Sequence, residues 1–133
     1  MDMFTCNVIT PERKLLECEA KIVVFPAHDG ELGVLTHRAP LVCKMGIGAM
    51  RIEAADGNRR TLYVDGGFAE VAGNTLTILT EQAADPDELD ADRAEQALAE
   101  ARAMPITDDA SFTARDKALQ RARVQLRLAR RSS

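Results

Sequence analysis

Glu81-Gln82-Ala83-Ala84-Asp85-Pro86-Asp87-Glu88 divides this 133-residue chain into two kinds of sequence. Seven of the eight glycines lie from Gly30 to Gly67 or between them, Gly73 completes the set, and none follows the divide. Working back from it, short apolar segments are separated by turn residues. Gly73-Asn74 parts 68–71 from 76–79, Asp65-Gly66-Gly67 follows 62–64, and Asp56-Gly57-Asn58 follows 51–54. His28-Asp29-Gly30 turns into 31–35, and the β-branched run 20–25 stops at Pro26. Phe4, Cys6 and Val8 alternate before Thr10-Pro11-Glu12 turns the chain. Period-2 segments between closely spaced turns predict an antiparallel β-sandwich or flattened barrel over residues 1–84.

Forward of the divide the period changes. Asp85 is placed as an N-cap, Pro86 suits the first helical position, and Glu88 stands three residues after the cap. Ala94, Ala97, Leu98 and Ala101 recur at helical spacing until Pro105. Thr107-Asp108-Asp109 caps a second helix, with Ala118, Leu119, Ala122, Leu126 and Ala129 as its apolar stripe. The expected organisation is therefore α+β, mainly β: a sandwich over 1–84 and an antiparallel two-helix hairpin over 85–133.

Two features of the hairpin bear on function. Its apolar face is mainly alanine, which removes little area from water at about 25 cal/mol per Å², so the pair is held weakly and detaches or extends at modest cost. Charge is also segregated. Residues 81–100 carry eight acids against Arg93 alone, a net of −7, whereas 113–133 carry seven basic residues against Asp116, a net of +6. Two readings stand open: complementary helices in a solvated hairpin, or a basic arm that leaves the acidic helix for an acidic partner surface.

Composition excludes several function classes. Hydrophobic residues make up 46% and charged residues 29%, the balance of a globular rather than a disordered chain. With one Tyr, four Phe, no Trp and a net charge of −4, neither base stacking nor phosphate tracking is expected, so no nucleic-acid partner is predicted. No apolar run has the length of a membrane span, and residues 1–8 lack the basic start and apolar stretch of a signal peptide; a soluble, intracellular protein is expected. Cys6, Cys18 and Cys43 show no C-x-x-C spacing and read as small hydrophobes, while His28 and His37 belong to no metal-ligand pattern, so no metal is expected. Gly46-Ile47-Gly48 lacks the third glycine of a dinucleotide loop, and His28-Asp29 sits in a turn that backbone needs explain. No catalytic residue is predicted; a sandwich enzyme is disfavoured because no acid, base and nucleophile converge.

Gly30-Glu31-Leu32-Gly33-Val34-Leu35-Thr36-His37-Arg38-Ala39-Pro40-Leu41-Val42 resembles the epsilon subunit of F-type ATP synthases. The match continues through 48–52, Asp65-Gly66-Gly67-Phe68-Ala69-Glu70-Val71 and 74–81, with Thr10-Pro11-Glu12-Arg13 and Phe25-Pro26-Ala27 also fitting. The resemblance covers essentially the whole chain. It implies a non-catalytic subunit of the proton-translocating rotary machine, sitting on the central stalk. The sandwich would bind the gamma subunit and the ring of c subunits. The hairpin would permit turnover when compact, and restrain ATP hydrolysis when extended along gamma towards the alpha and beta subunits.

Residue by residue, the resemblance places Glu31 and Arg38 in loops facing the c-ring, although Thr36 stands where proline is usual and Arg38 where a second histidine is common. Leu89-Asp90-Ala91-Asp92-Arg93-Ala94 matches the motif that binds ATP in some bacterial members. It implies that Leu89, Asp90, Arg93 and Ala94 act with Arg121, Asp90 accepting from adenine or a backbone donor and Arg93 meeting phosphate. Gln125 replaces the family's next arginine and Ala84 an acidic residue, and an Asp90–Arg93 ion pair is the structural alternative. Arg115, Arg121, Arg123 and Arg127 are the group expected to meet acidic patches on alpha and beta. No cofactor is required, and ATP is the one regulatory ligand implied. A stand-alone ATP-sensing module is the alternative function. Location is expected at the cytoplasmic face of a bacterial inner membrane, peripheral and held there only through the complex.

Overall fold

The computed structural model describes residues 3–132. They form nine strands: β1 (Phe4–Ile9), β2 (Lys14–Ala27), β3 (Gly30–Leu35), β4 (Leu41–Lys44), β5 (Ile47–Ala54), β6 (Arg59–Asp65), β7 (Phe68–Ala72), β8 (Thr75–Leu79) and the two-residue β9 (Ala83–Ala84). A 3-10 turn (Pro86–Glu88) and two helices follow, α1 (Ala91–Ala103) and α2 (Asp109–Ser132). The chain divides into two compact units between Ala83 and Ala84.

In the first unit β2 is the corner. Its early residues pair with β1, Phe4 opposite Ala20 and Val8 opposite Leu16, while its later residues pair with β3 and β5. A register irregularity between Ala20 and Ile22 separates the two regimes, as expected where a strand bends from one layer into the other. Strand order runs β4-β7-β8-β1-β2-β5-β6, with β3 on β2. That path is open, so the sheet forms a sandwich and not a closed barrel. Neighbours are antiparallel except β1 and β8, which run parallel from Thr5 opposite Thr75 to Ile9 opposite Leu79. The long stretch of chain between these two strands is what parallel pairing requires; a short hairpin connection enforces antiparallel pairing.

The predicted alternation is present: Phe4, Cys6 and Val8 are buried along β1, and Leu76 and Ile78 along β8. They join Val23, Phe25, Val34, Met50, Leu62 and Val64 in one apolar core. The turn at 65–67 is fixed by polar contacts inside this unit. Tyr63 Oη donates to Asp65 Oδ2 at 2.8 Å, and the Asp65 N–H donates to Thr80 Oγ1 at 3.1 Å. Gly67 there has φ +97°, and a Cβ at this position would overlap the Leu79 carbonyl oxygen. Both facts require glycine.

The second unit starts differently from the expected single helix at Asp85. The Asp85 N–H donates to Glu88 Oε1 at 3.0 Å, but only the 3-10 turn results. Leu89 and Asp90 are extended, and α1 begins afterwards because the Asp90 carboxylate accepts from the Asp92 and Arg93 N–H groups at 2.9 and 3.2 Å. A second strong N-cap so close to the first restarts the helix. For α2, Asp108 Oδ1 accepts from the Ser111 N–H at 2.8 Å and Ser111 Oγ accepts from the Asp108 N–H at 3.0 Å, a reciprocal capping box. Ala94, Leu98 and Ala101 of α1 pack with Leu119, Ala122 and Leu126 of α2.

Candidate interaction surfaces

Glu31 is the second residue of β3, exposed, and held by a residue the sequence reading did not single out. Arg51 on β5 donates to it twice, Nη1 to Oε2 at 2.9 Å and Nη2 to Oε1 at 3.2 Å. This fork fixes the carboxylate's orientation and raises the Arg51 pKa, chiefly through the hydrogen bond to Glu31. Arg38 is exposed in the turn beyond the other end of β3, separated from Glu31 by at least about 13 Å of strand at about 3.3 Å per residue. The structure therefore places the two expected ring-facing residues at opposite ends of one strand. The turn bearing Arg38 is anchored by Asn74, whose Nδ2 donates to the Met3 carbonyl at 2.7 Å and whose Oδ1 accepts from Thr36 Oγ1 at 3.2 Å. His37 and Asn74 both have positive φ, 62° and 59°.

An exposed apolar row is the feature sequence reasoning missed. On β1, β8, β7 and β4, register sets Ile9 beside Leu79, Leu79 beside Phe68, and Phe68 beside Lys44. Phe68 and Leu79 are 55% and 49% exposed, and Val42, one pleat further along β4, is 67% exposed. Beside the row lies a shallow groove of about 330 Å³ lined by Ile9, Thr10, Pro11, Phe68, Leu79 and Glu81, among others. The available signal was an apolar residue at the outward phase of each strand, Ile9 after Val8 and Leu79 after Ile78. That these residues align across strands follows only from the pairing register.

In the helical unit, a groove of about 350 Å³ between α1 and α2 is lined by Ala97, Glu100, Met104, Ala118, Arg121 and Gln125, with Ala101 and Ala122 at its floor. It takes in Arg121 but none of Leu89, Asp90, Arg93 and Ala94. Asp90 is engaged as the α1 cap, Arg93 is exposed on the first turn, Ala94 is buried between the helices, and the Leu89 N–H donates to the Pro86 carbonyl. The four basic residues grouped by sequence also separate. Arg115 donates to the Arg102 carbonyl at the end of α1, at 3.4 Å. Arg121 faces the groove. Arg123 and Arg127 share an exposed stripe with Arg130, whose Nη2 meets Glu95 Oε1 at 2.8 Å. That last pair links the acidic helix to the basic one, as the complementary-hairpin reading expects. Val124 and Leu128 are also buried, giving α2 a second buried face that the single predicted stripe did not include.

Among the described residues no three His, Cys, Asp or Glu side chains cluster as metal ligands, and no helix is long and apolar enough to cross a membrane. Cys6 is buried and Cys18 and Cys43 are half-buried, all three as free thiols.

Residues 3–86 match the family model described as ATP synthase, Delta/Epsilon chain, beta-sandwich domain. The chain is 44% identical over 125 residues to the ATP synthase epsilon chain of Rhodopirellula baltica, covering 94% of this chain and 97% of that one. It is 37% identical to the epsilon chain of Granulibacter bethesdensis, covering 98% and 99%. The sodium ion specific epsilon chain of Propionigenium modestum is 32% identical, covering 97% and 95%. Among solved structures, a chain of the Euglena gracilis mitochondrial ATP synthase (OSCP/F1/c-ring) superposes with a TM-score of 0.82 at 24% identity, covering 92% of this chain and 79% of that one.

Proposed function

Because this chain belongs to the epsilon-chain family of ATP synthases, whose members are non-catalytic subunits, we propose that its sandwich docks on gamma and on the c-ring to couple rotation. Its hairpin then restrains ATP hydrolysis. The observation that carries the docking is the apolar row of half-buried Ile9 and exposed Leu79 and Phe68, with exposed Val42 nearby. Apolar side chains aligned across three strands are a surface awaiting a partner, whereas scattered exposed ones need no explanation. Gamma is the partner assigned to this row, and the end of β3 that carries Glu31 is the one assigned to the ring, Arg38 lying beyond the opposite end of that strand. The exposed Arg123 and Arg127 are assigned to acidic patches on alpha and beta, with Arg115 and Arg121 reached only after the hairpin opens. This arrangement holds the subunit at the cytoplasmic face of a bacterial inner membrane through the complex alone.

The test is a full chain carrying Phe68→Thr and Leu79→Thr, which keeps strand-forming side chains at two opposed positions. Both side chains are exposed, so the fold and its thermal midpoint stay near those of the parent, while binding to gamma falls at least tenfold. Unchanged binding of the folded double variant would remove this face from the interface.

ATP is a second reading of the helical unit, supported by Arg121 in the inter-helix groove and opposed by the Glu100 carboxylate that lines the same groove. Arg93 stands outside that groove, and the Asp90 carboxylate already accepts two backbone N–H groups. ATP binding through both therefore calls for a rearranged α1 start. Titration of the full chain with ATP, read by calorimetry and repeated on Arg121→Ala, separates a sensing module from a purely mechanical subunit.

A further inference from the structure

We propose that Cys6 and Cys18 form a cross-strand thiol pair that closes to an intramolecular disulfide by exchange with a small-molecule disulfide such as oxidised glutathione. The two residues are direct partners in the antiparallel β1–β2 register. Opposed residues point to the same face, and both side chains belong to the sandwich core, Cys6 fully buried and Cys18 packed against the same cluster. Opposed positions in an antiparallel pair have Cα atoms about 4.5 or about 5.5 Å apart, inside the window of about 4.4–6.8 Å that a disulfide spans. The third thiol has no such geometry. Cys43 lies on β4, and the order β4-β7-β8-β1 puts it three strand spacings from β1, roughly 14 Å away at about 4.8 Å per spacing.

Accessibility sets the order of events. Cys18 is half-exposed and reacts first: its thiolate attacks one sulfur of the small disulfide, forming a mixed disulfide and releasing one small thiolate. The Cys6 sulfur then attacks the Cys18 sulfur and expels the second small thiolate, which takes up the Cys6 proton. Two protein thiols are oxidised and one small disulfide is reduced to two thiols. Burial pushes the Cys6 thiol up to about 12, with a smaller contribution from Cys18, so closure is the slower step and the Cys18 adduct accumulates before it. The product ties β1, which lies between β8 and β2 in the sheet, to the corner strand.

The experiment uses the full chain with Cys43→Ala, incubated with excess oxidised glutathione and followed by intact mass and peptide mapping without reduction. The expected product has lost two hydrogens, links the Cys6 and Cys18 peptides, and reverts with dithiothreitol. Its thermal midpoint stands several degrees above that of the reduced chain. A parallel Cys18→Ser variant yields neither the early adduct nor the cross-link. A glutathione adduct that persists on Cys18 without closing would overturn the proposal. So would linkage only between two chains, or cross-linking only after urea unfolds the protein.

Discussion

Glu31 illustrates what a side chain's partner adds to its type. A lone exposed acid on a turn carries no functional information, but a carboxylate gripped in two-point contact by Arg51 has a fixed direction. The pair is about half exposed, so its worth to folding is small, ~0.2–1 kcal/mol. Arg51→Ala is therefore expected to lower stability by no more than that amount in a urea melt. If Glu31 faces the ring, the same change lowers the coupling of ATP hydrolysis to proton pumping in the reconstituted enzyme as much as Glu31→Ala does. Normal pumping in both variants would make the pair a surface ornament. Gly67 gives the opposite case, with structural consequence and no chemistry. Gly67→Ala forces a Cβ against the Leu79 carbonyl at a positive φ, and a loss of at least about 2 kcal/mol is expected in the same melt.

At the scale of elements, the capping of α2 has a pH signature. The Asp108 carboxylate is held below the ordinary aspartate range, first by the Ser111 backbone N–H and second by the Ser111 side chain. A depressed folded-state pKa means that the ionised form is the one the fold favours. Its contribution is therefore complete above the unfolded value of about 3.9 and is lost as pH falls through the lower folded value. Helicity measured by circular dichroism should fall in that acid window, and Asp108→Ala should lose helicity at neutral pH while flattening the acid transition. This cap was legible in Thr107-Asp108-Asp109, as were the β-to-α divide and the alternation of β1, because each is written in neighbouring residues. The break at Leu89-Asp90 was not, since two good caps compete there and the outcome depends on which N–H groups each carboxylate reaches. The parallel β1–β8 pair and the second buried face of α2 were likewise hidden: both are set by residues far apart in sequence. The candidate sites divide in the same way. Glu31 and Arg121 could be named from motif positions, but Arg51 and the row formed by Ile9, Leu79 and Phe68 exist only once strands are in register.

At the scale of the molecule, coupling and restraint are assigned to different units, and that division makes a separable prediction. The sandwich has its own core, closed by strands that precede the divide, so a chain ending at Asp85 should fold and still bind gamma. The helices pack on each other through alanines and a few leucines, an apolar contact that offers modest resistance to opening, to which the buried Val124 and Leu128 of α2 add their own. What opposes opening in addition is charge, the Glu95–Arg130 pair among the described residues included. The same charge on α2 would attract an acidic surface on alpha and beta once the helix is free. Full chain titrated into an alpha–beta–gamma core should therefore slow ATP hydrolysis, whereas the chain ending at Asp85 should bind without slowing it. Arg123→Glu with Arg127→Glu should weaken the restraint and reduce its dependence on salt, since exposed charges act over a Debye length of only about 10 Å at 0.1 M. Equal inhibition by the full and shortened chains would place restraint in the sandwich and leave the hairpin's charge pattern as a device for its own folding.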